Sequence, residues 1–226
     1  MVTQEQQAKL ADEWSRLMRA LNVPSDLHWR AFAQIVTAYS EPHRHYHTLD
    51  HIVWMLHQLF IEVKYSTPFP EPEWKMLELA TWYHDVVYDP RSEENESRSA
   101  EVARNSLYEL GLSEDRIARV CELILMTKDH QAPAADTNAL LFLDLDLSIL
   151  GANVEPYDEY AWNIRREYAW VPERDYCLGR RKVLQKFLER PAVFRSDWFR
   201  HLESKARANI TAEIAQIGEI LRTLPP

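Results

Sequence analysis

An imidazole and a carboxylate stand side by side at His84-Asp85, inside the run Ala80-Thr81-Trp82-Tyr83-His84-Asp85-Val86-Val87-Tyr88-Asp89, which is otherwise mostly apolar. Burying such a pair costs free energy unless something compensates. A divalent cation compensates most strongly, because it takes neutral imidazole and ionised carboxylate as ligands. The alternative is a solvated pair at the fraying end of a helix. A second cluster weighs in favour of the cation. The stretch Glu41-Pro42-His43-Arg44-His45-Tyr46-His47-Thr48-Leu49-Asp50-His51 holds four of the nine histidines. Thr48 suits the N-cap of a helix, which puts His47 just before that helix and His51 in its first turn. At that spacing both imidazoles can reach one cavity. His43, His45 and His57 read as polar residues with no further role.

A third source of donors is Leu140-Leu141-Phe142-Leu143-Asp144-Leu145-Asp146-Leu147-Ser148-Ile149-Leu150. A helix that is apolar nearly all round is buried, and carboxylates inside it need partners. Asp144 and Asp146 are two positions apart, ~200° around the axis. One can therefore reach an ion while the other must be paired elsewhere. The collected donors are His51, His84, Asp85 and one of these two aspartates. A structural zinc site more often uses cysteine and closes all four positions. A mixed nitrogen and oxygen set suits a hard or borderline divalent ion that keeps positions open for water and a phosphate oxygen. Mn, Co, Mg, Ni, Fe and Zn all remain candidates.

The elements that must hold these residues are helical. The 226 residues include only four glycines, and no alternating strand-like run stands out. A net charge of −9, with basic residues scattered among acids, argues against a nucleic-acid face. Cys121 and Cys177 lie far apart within helical patterns, as in a reduced, cytoplasmic protein. The segment Met1 to Gln6 is polar, unlike a signal peptide, and no apolar run approaches the ~20 residues of a membrane span. No membrane partner is therefore expected, and self-association into a homo-oligomer is left open.

In chain order, Thr3 and Gln6 form a capping box for a first helix, and Ser25 caps a second. The third helix follows Thr48. A Pro-rich loop at Thr67 to Pro72 leads into a fourth helix, with Pro72 in its first turn, that ends at His84-Asp85. Ser92 and Ser113 cap the fifth and sixth helices, and Leu110-Gly111 stops the fifth. The seventh helix is predicted from Thr137 to Leu150, closed by Gly151. Further helices span Tyr157 to Trp170 and the residues after Pro172, and Asp197 caps the last. No repeat or linker divides the chain, so the expectation is a single all-α domain over residues 1–226: a compact bundle of about ten helices with its core motifs in residues 46–146.

These motifs together resemble the HD superfamily of metal-dependent phosphohydrolases, whose signature H…HD…D maps onto His51, His84-Asp85 and Asp146. Tyr46-His47-x-x-x-His51 is similar to the Tyr-His-Asn-x-x-His motif of cyclic-nucleotide phosphodiesterases, with Thr48 in place of Asn. His84-Asp85-Val86-Val87-Tyr88-Asp89 resembles the His-Asp-Val-Val-Glu-Asp motif of guanosine-tetraphosphate hydrolases, with Tyr88 in place of Glu. Asn95-Glu96 and Arg165-x-Glu167-Tyr168 extend the likeness to an uncharacterised branch of predicted HD phosphohydrolases. The resemblance implies an all-α HD-type fold and a small phosphorylated substrate. It implies metal ligands at His51, His84, Asp85 and Asp146, with Asp144 as the fallback, because Asp146-Leu147 fits the usual Asp followed by Leu. It also implies a proton donor at His47. Asp89 or Glu96 would orient or deprotonate the attacking water. Lys128, Arg165 and Arg180 are candidates for holding phosphate charge, each with a solvated helix cation as the alternative. His130 reads as a group supporting the ligands, as a ligand to a second metal, or as an exposed loop residue. Two other functions are weighed: a non-catalytic metal-containing module that binds a nucleotide or metabolite, and an HD-type di-iron oxygenase. The latter needs about six protein ligands where four are identified.

Overall fold

The structure, a computed structural model, describes residues 3–64 and 71–225. Among these residues there are ten α-helices and no strand. They are α1 (Gln4–Ala20), α2 (Ser25–Tyr39), α3 (Leu49–Gln58), α4 (Glu71–Tyr83), α5 (Asn95–Glu109), α6 (Glu114–Met126), α7 (Thr137–Asp146), α8 (Val154–Glu167), α9 (Glu173–Glu189) and α10 (Glu203–Thr223). The expected all-α class is what the chain adopts. No single helix among the described residues is long and apolar enough to cross a membrane. The chain divides into two compact units, residues 1–143 and 144–226. The boundary falls inside α7, so no linker composition marks it; this last helix of the first unit runs on to Asp146.

In the first unit, α4 is anchored just before His84. The Trp82 ring meets Trp14 edge-on at 5.4 Å and Phe32 at 6.0 Å. Trp14 donates its indole N–H to the His28 carbonyl at 2.9 Å, which satisfies the polar end of a fully buried side chain. Tyr83 is also buried and shares a 2.6 Å hydrogen bond with Ser106 of α5. Arg16 of α1 pairs with buried Glu78 of α4. Rings and ion pair together leave the end of α4 little freedom, and the chain turns at His84-Asp85.

The cap of α7 escaped the sequence pattern. Asp136 accepts from the Ala139 amide at 3.0 Å, as an N-cap does. The same carboxylate takes a bidentate bond from Arg119 of α6, at 2.7 and 2.8 Å. The helix that carries Asp144 and Asp146 is therefore tied at its start to α6.

The second unit is built from α8, α9, α10 and a 3₁₀ turn, Leu147–Gly151. Asn209 of α10 donates to the carbonyls of Leu150 and Ala152, both at 2.9 Å. Gly151 has no room for a side chain, since a Cβ there would stand 2.6 Å from Leu202 Cβ. Arg180 of α9 and Glu213 of α10 form a buried ion pair at 2.8 Å, with Tyr157 donating to the same carboxylate at 2.6 Å.

Several expected boundaries shift. The predicted seventh helix to Leu150 is α-helical only to Asp146 and tightens to 3₁₀ from Leu147, as helix ends often do. Ser92 does not cap α5; its Oγ accepts from the Glu94 amide inside a turn, and α5 begins at Asn95. Asp197 does not open the last helix, because a 3₁₀ turn at Arg200–Leu202 precedes α10. Pro24, not Ser25, holds the N-cap position of α2, and Ser113 precedes α6 without a side-chain bond. The Thr3/Gln6 capping box and the Thr48 cap form as expected, and Gly111 takes the left-handed φ of +79° that ends α5. Within the predicted Pro-rich loop, residues 67–70 lie outside the described residues.

The Asp136–Arg119 pair gives a pH prediction. The hydrogen bond from Arg119 holds the Asp136 carboxyl below its usual range. A depressed folded value means stability that is present above the ordinary carboxylate range and is lost as pH falls through the lowered value. Urea unfolding between roughly pH 5 and pH 2 should show a steeper acid loss in the wild type than in Asp136→Asn, which cannot titrate. Identical slopes would remove Asp136 from the acid response.

Candidate metal centre

The centre is built where the start of α3 and the end of α4 come together. Thr48 Oγ1 accepts from the Asp50 amide at 3.3 Å and starts α3, which places His51 in its first turn. His84 follows α4, its amide bonded to the Ala80 carbonyl at 2.9 Å. Both imidazoles are buried.

The tautomer of His84 follows from chemistry. Its Nδ1 lies 3.0 Å from the Thr81 carbonyl, which can only accept, so Nδ1 carries the hydrogen. In the neutral ring Nε2 then bears a lone pair. That lone pair meets His51 Nε2 at 3.1 Å and Asp85 Oδ2 at 3.0 Å. One hydrogen on His51 can serve the first contact, but the second sets a lone pair against a carboxylate. A cation at the meeting point satisfies all three atoms at once, and a backbone carbonyl fixing the far nitrogen is how metal-binding histidines are commonly oriented.

Asp146 ends α7, and one ligand atom from each of His51, His84 and Asp146 lies within 4.8 Å of the other two. Two imidazole nitrogens and a carboxylate oxygen fit a borderline divalent ion. These three side chains could hold it. Asp85, expected as a fourth ligand, is outside that triple but touches His84 directly.

Asp144 faces a different task. Its carboxylate accepts from the amides of Arg195 at 3.0 Å and Ser196 at 2.6 Å, both in its own unit. The two preceding amides, Val193 and Phe194, bond Glu203 at 2.9 and 3.0 Å. Two carboxylates thus satisfy four successive amides of an irregular segment, which would otherwise be costly to bury. Burial pushes the Asp144 carboxyl up in pKa, against the pull of these bonds.

His47 lies near the ligands, its Nε2 3.9 Å from Asp85 Oδ2 and its ring 6.1 Å from that of His51. The ring stacks on Tyr88 at 4.0 Å. Asp89 is exposed and its Oδ1 accepts from the Arg91 amide at 3.0 Å, while Asn95 bonds its backbone on both sides. Glu96 sits half-buried in the first turn of α5. Neither acid joins the triple of ligand atoms. Lys128 is exposed and donates to the Glu93 carbonyl at 2.8 Å. Arg165 donates to the carbonyls of Tyr168 and Val171. Arg180 lies in a buried pair, where Glu213 and Tyr160 take its Nε and Nη2. His130 is half-buried with a left-handed φ of +49°, and it too is outside the triple.

The chain shares its fold with solved phosphodiesterase domains. One is the phosphodiesterase domain of the RhoPDE fusion protein from the choanoflagellate Salpingoeca rosetta, matched over 99% of this chain and 93% of that one, at a TM-score of 0.66 and 14% identity. Another is the phosphodiesterase domain of Salpingoeca rosetta rhodopsin phosphodiesterase, matched over 98% and 89%, at a TM-score of 0.63 and 14% identity. No family model matches the chain, and no curated protein does. At this identity the likeness carries the fold, and the centre rests on its own geometry.

Two residues of the centre carried no sequence signal. Arg44 is buried against the two ligand-bearing turns, whereas arginine in a polar stretch is ordinarily exposed. Tyr88, noted only as a departure from a motif, is the surface on which His47 lies.

The two aspartates of α7 can be separated by experiment. Asp146→Asn should lose metal with the fold retained. Asp144→Asn keeps one acceptor oxygen for two amides, so it should cost about 1–3 kcal/mol of stability and leave metal content unchanged. Elemental analysis beside denaturant unfolding checks both, and metal loss in Asp144→Asn alone would reverse the assignment.

Proposed function

We propose that this chain is a divalent-metal-dependent phosphohydrolase of the HD superfamily, acting on a phosphomonoester or nucleotide-type substrate. The observation that carries the reading is the meeting of His51 Nε2 and the Asp85 carboxylate at His84 Nε2, at 3.1 and 3.0 Å, with the His84 tautomer set by Thr81. The resemblance of the motifs to HD phosphohydrolases and the phosphodiesterase names of the fold neighbours agree with it. The proposed ligands are His51, His84, Asp85 and Asp146. A bound divalent ion polarises a phosphoryl oxygen and lowers the pKa of a coordinated water towards neutrality.

The chain supplies the other steps. His47, beside the ligands and held flat on Tyr88, is proposed to donate a proton to the leaving oxygen. Asp89 and Glu96 are proposed to orient the attacking water. Of the three cations considered for phosphate charge, Lys128 is the exposed one and the one retained.

His84→Ala and Asp85→Ala should each abolish bound metal and turnover of a phosphoester panel assayed with Mn²⁺, Co²⁺ or Mg²⁺. Undiminished metal in both variants would sink the site, and a metal-loaded wild type inert across mono- and diesters would sink the activity.

His47→Ala should leave metal content nearly intact. Loss of proton donation should lower turnover by ~10²–10⁴-fold on substrates with alkoxide leaving groups. A nitrophenyl ester, whose leaving group hardly needs the proton, should be affected much less. Equal losses on both substrate types would make His47 a positioning group, and loss of metal would make it a ligand.

A further inference from the structure

We propose that Arg44 is a positioning residue, clamping the turn before α3 to the turn after α4 so that the ligands they carry meet; this rests on the metal site proposed above. Arg44 reaches across 41 residues of sequence to donate from Nη1 to the Asp85 carbonyl at 2.6 Å. From Nη2 it donates to the Val86 carbonyl at 3.0 Å. Nη1 also reaches the His47 carbonyl at 3.3 Å, and Nε bonds Glu41 at 2.9 Å. The side chain is 0% exposed. Its guanidinium carbon lies 5.1 Å from the centre of the Tyr39 ring and 5.6 Å from that of Tyr88.

These partners define the role. Carbonyls just past a helix end have lost their intrahelical donors and must find others. Asp85 and Val86 stand there, beside His84, and Arg44 supplies both from two nitrogens of one rigid plane. The same plane holds the carbonyl of His47, at the start of the segment that leads into α3 and His51. One side chain therefore spans the two segments whose imidazoles stand 3.1 Å apart. A lysine offers a single charged point on a flexible stem and cannot reproduce two fixed directions. Tyr39 strengthens the tie, its hydroxyl oxygen accepting from the Asp85 amide at 3.2 Å below the stacked guanidinium.

The test compares wild type, Arg44→Lys and a control core truncation at Leu184→Ala, a buried residue of α9. Mn²⁺ affinity is read by titration calorimetry, stability by metal-free thermal unfolding, and local order by amide hydrogen exchange at residues 84–88 in the metal-free protein. Arg44→Lys should bind Mn²⁺ about 10–100-fold more weakly, the range found when groups supporting metal ligands are removed. Its amides at residues 84–88 should exchange faster, while Leu184→Ala keeps wild-type affinity and wild-type exchange there. Wild-type Mn²⁺ affinity in Arg44→Lys overturns the proposal, as does an equal loss in Leu184→Ala. If Arg44→Lys does not fold, Glu41→Ala releases only Nε and should weaken Mn²⁺ about threefold or more; an unchanged affinity there overturns it equally. A wild type that binds no divalent ion would refute the metal site itself. The exchange measurement would then decide the clamp alone, with unchanged rates at residues 84–88 counting against it.

Discussion

Polar donors from the start of α3 and the turn after α4, held close together among apolar residues, are the constraint on which the first unit depends. A hydrogen on His51 can serve the 3.1 Å contact with His84, but the Asp85 carboxylate 3.0 Å from the neutral His84 Nε2 is repelled unless a positive charge lies between them. Only a rigid surround can keep them there. The Trp14, Phe32 and Trp82 rings and the Tyr83–Ser106 bond brace α4 up to the residue before His84. Arg44 and Tyr39 then take over through the backbone of Asp85 and Val86. The aromatic content of this unit therefore serves placement as well as burial.

The same logic explains the division of labour on α7. A helix that is apolar nearly all round can carry two carboxylates only if each leaves the apolar surface by a different route. Asp146 is the carboxylate of the group that could hold a metal ion with His51 and His84. Asp144 turns to the amides of Arg195 and Ser196, continuing a row in which Glu203 serves Val193 and Phe194. The Asp136–Arg119 bond ties the other end of the helix to α6.

Two further buried charges among the described residues are paired with an arginine. Arg180 and Glu213 meet with Tyr157 and Tyr160 around them, and Arg16 meets Glu78. Removing one member of such a pair leaves an uncompensated charge, which is far costlier than replacing both by apolar groups.

The sequence by itself determined the helical class, the capping box at Thr3, the stop at Gly111 and the start of α3 at Thr48, and it put forward the imidazoles and carboxylates of the candidate centre. Each is a local matter: periodicity, caps and the chemistry of imidazole and carboxylate are readable within a few residues. Position around a helix was also legible, so a division between Asp144 and Asp146 could be anticipated from a ~200° separation, and the motif resemblance put Asp146 forward as the ligand. The tertiary structure decided whatever depends on distant partners, such as the amides that Asp144 serves. Arg44 is a buried clamp only because the carbonyls of Asp85 and Val86, 41 and 42 residues away, arrive beside it. Arg180 lies in a buried pair only because Glu213 faces it. The shortened α-helical part of α7 and the late start of α5 follow the same rule, since the 3₁₀ turn beside Asn209 and the Asp89–Asn95 bonds override the local preference for a longer helix. A charged side chain belongs to the surface or to the core according to what meets it, and no pattern along the chain records that meeting.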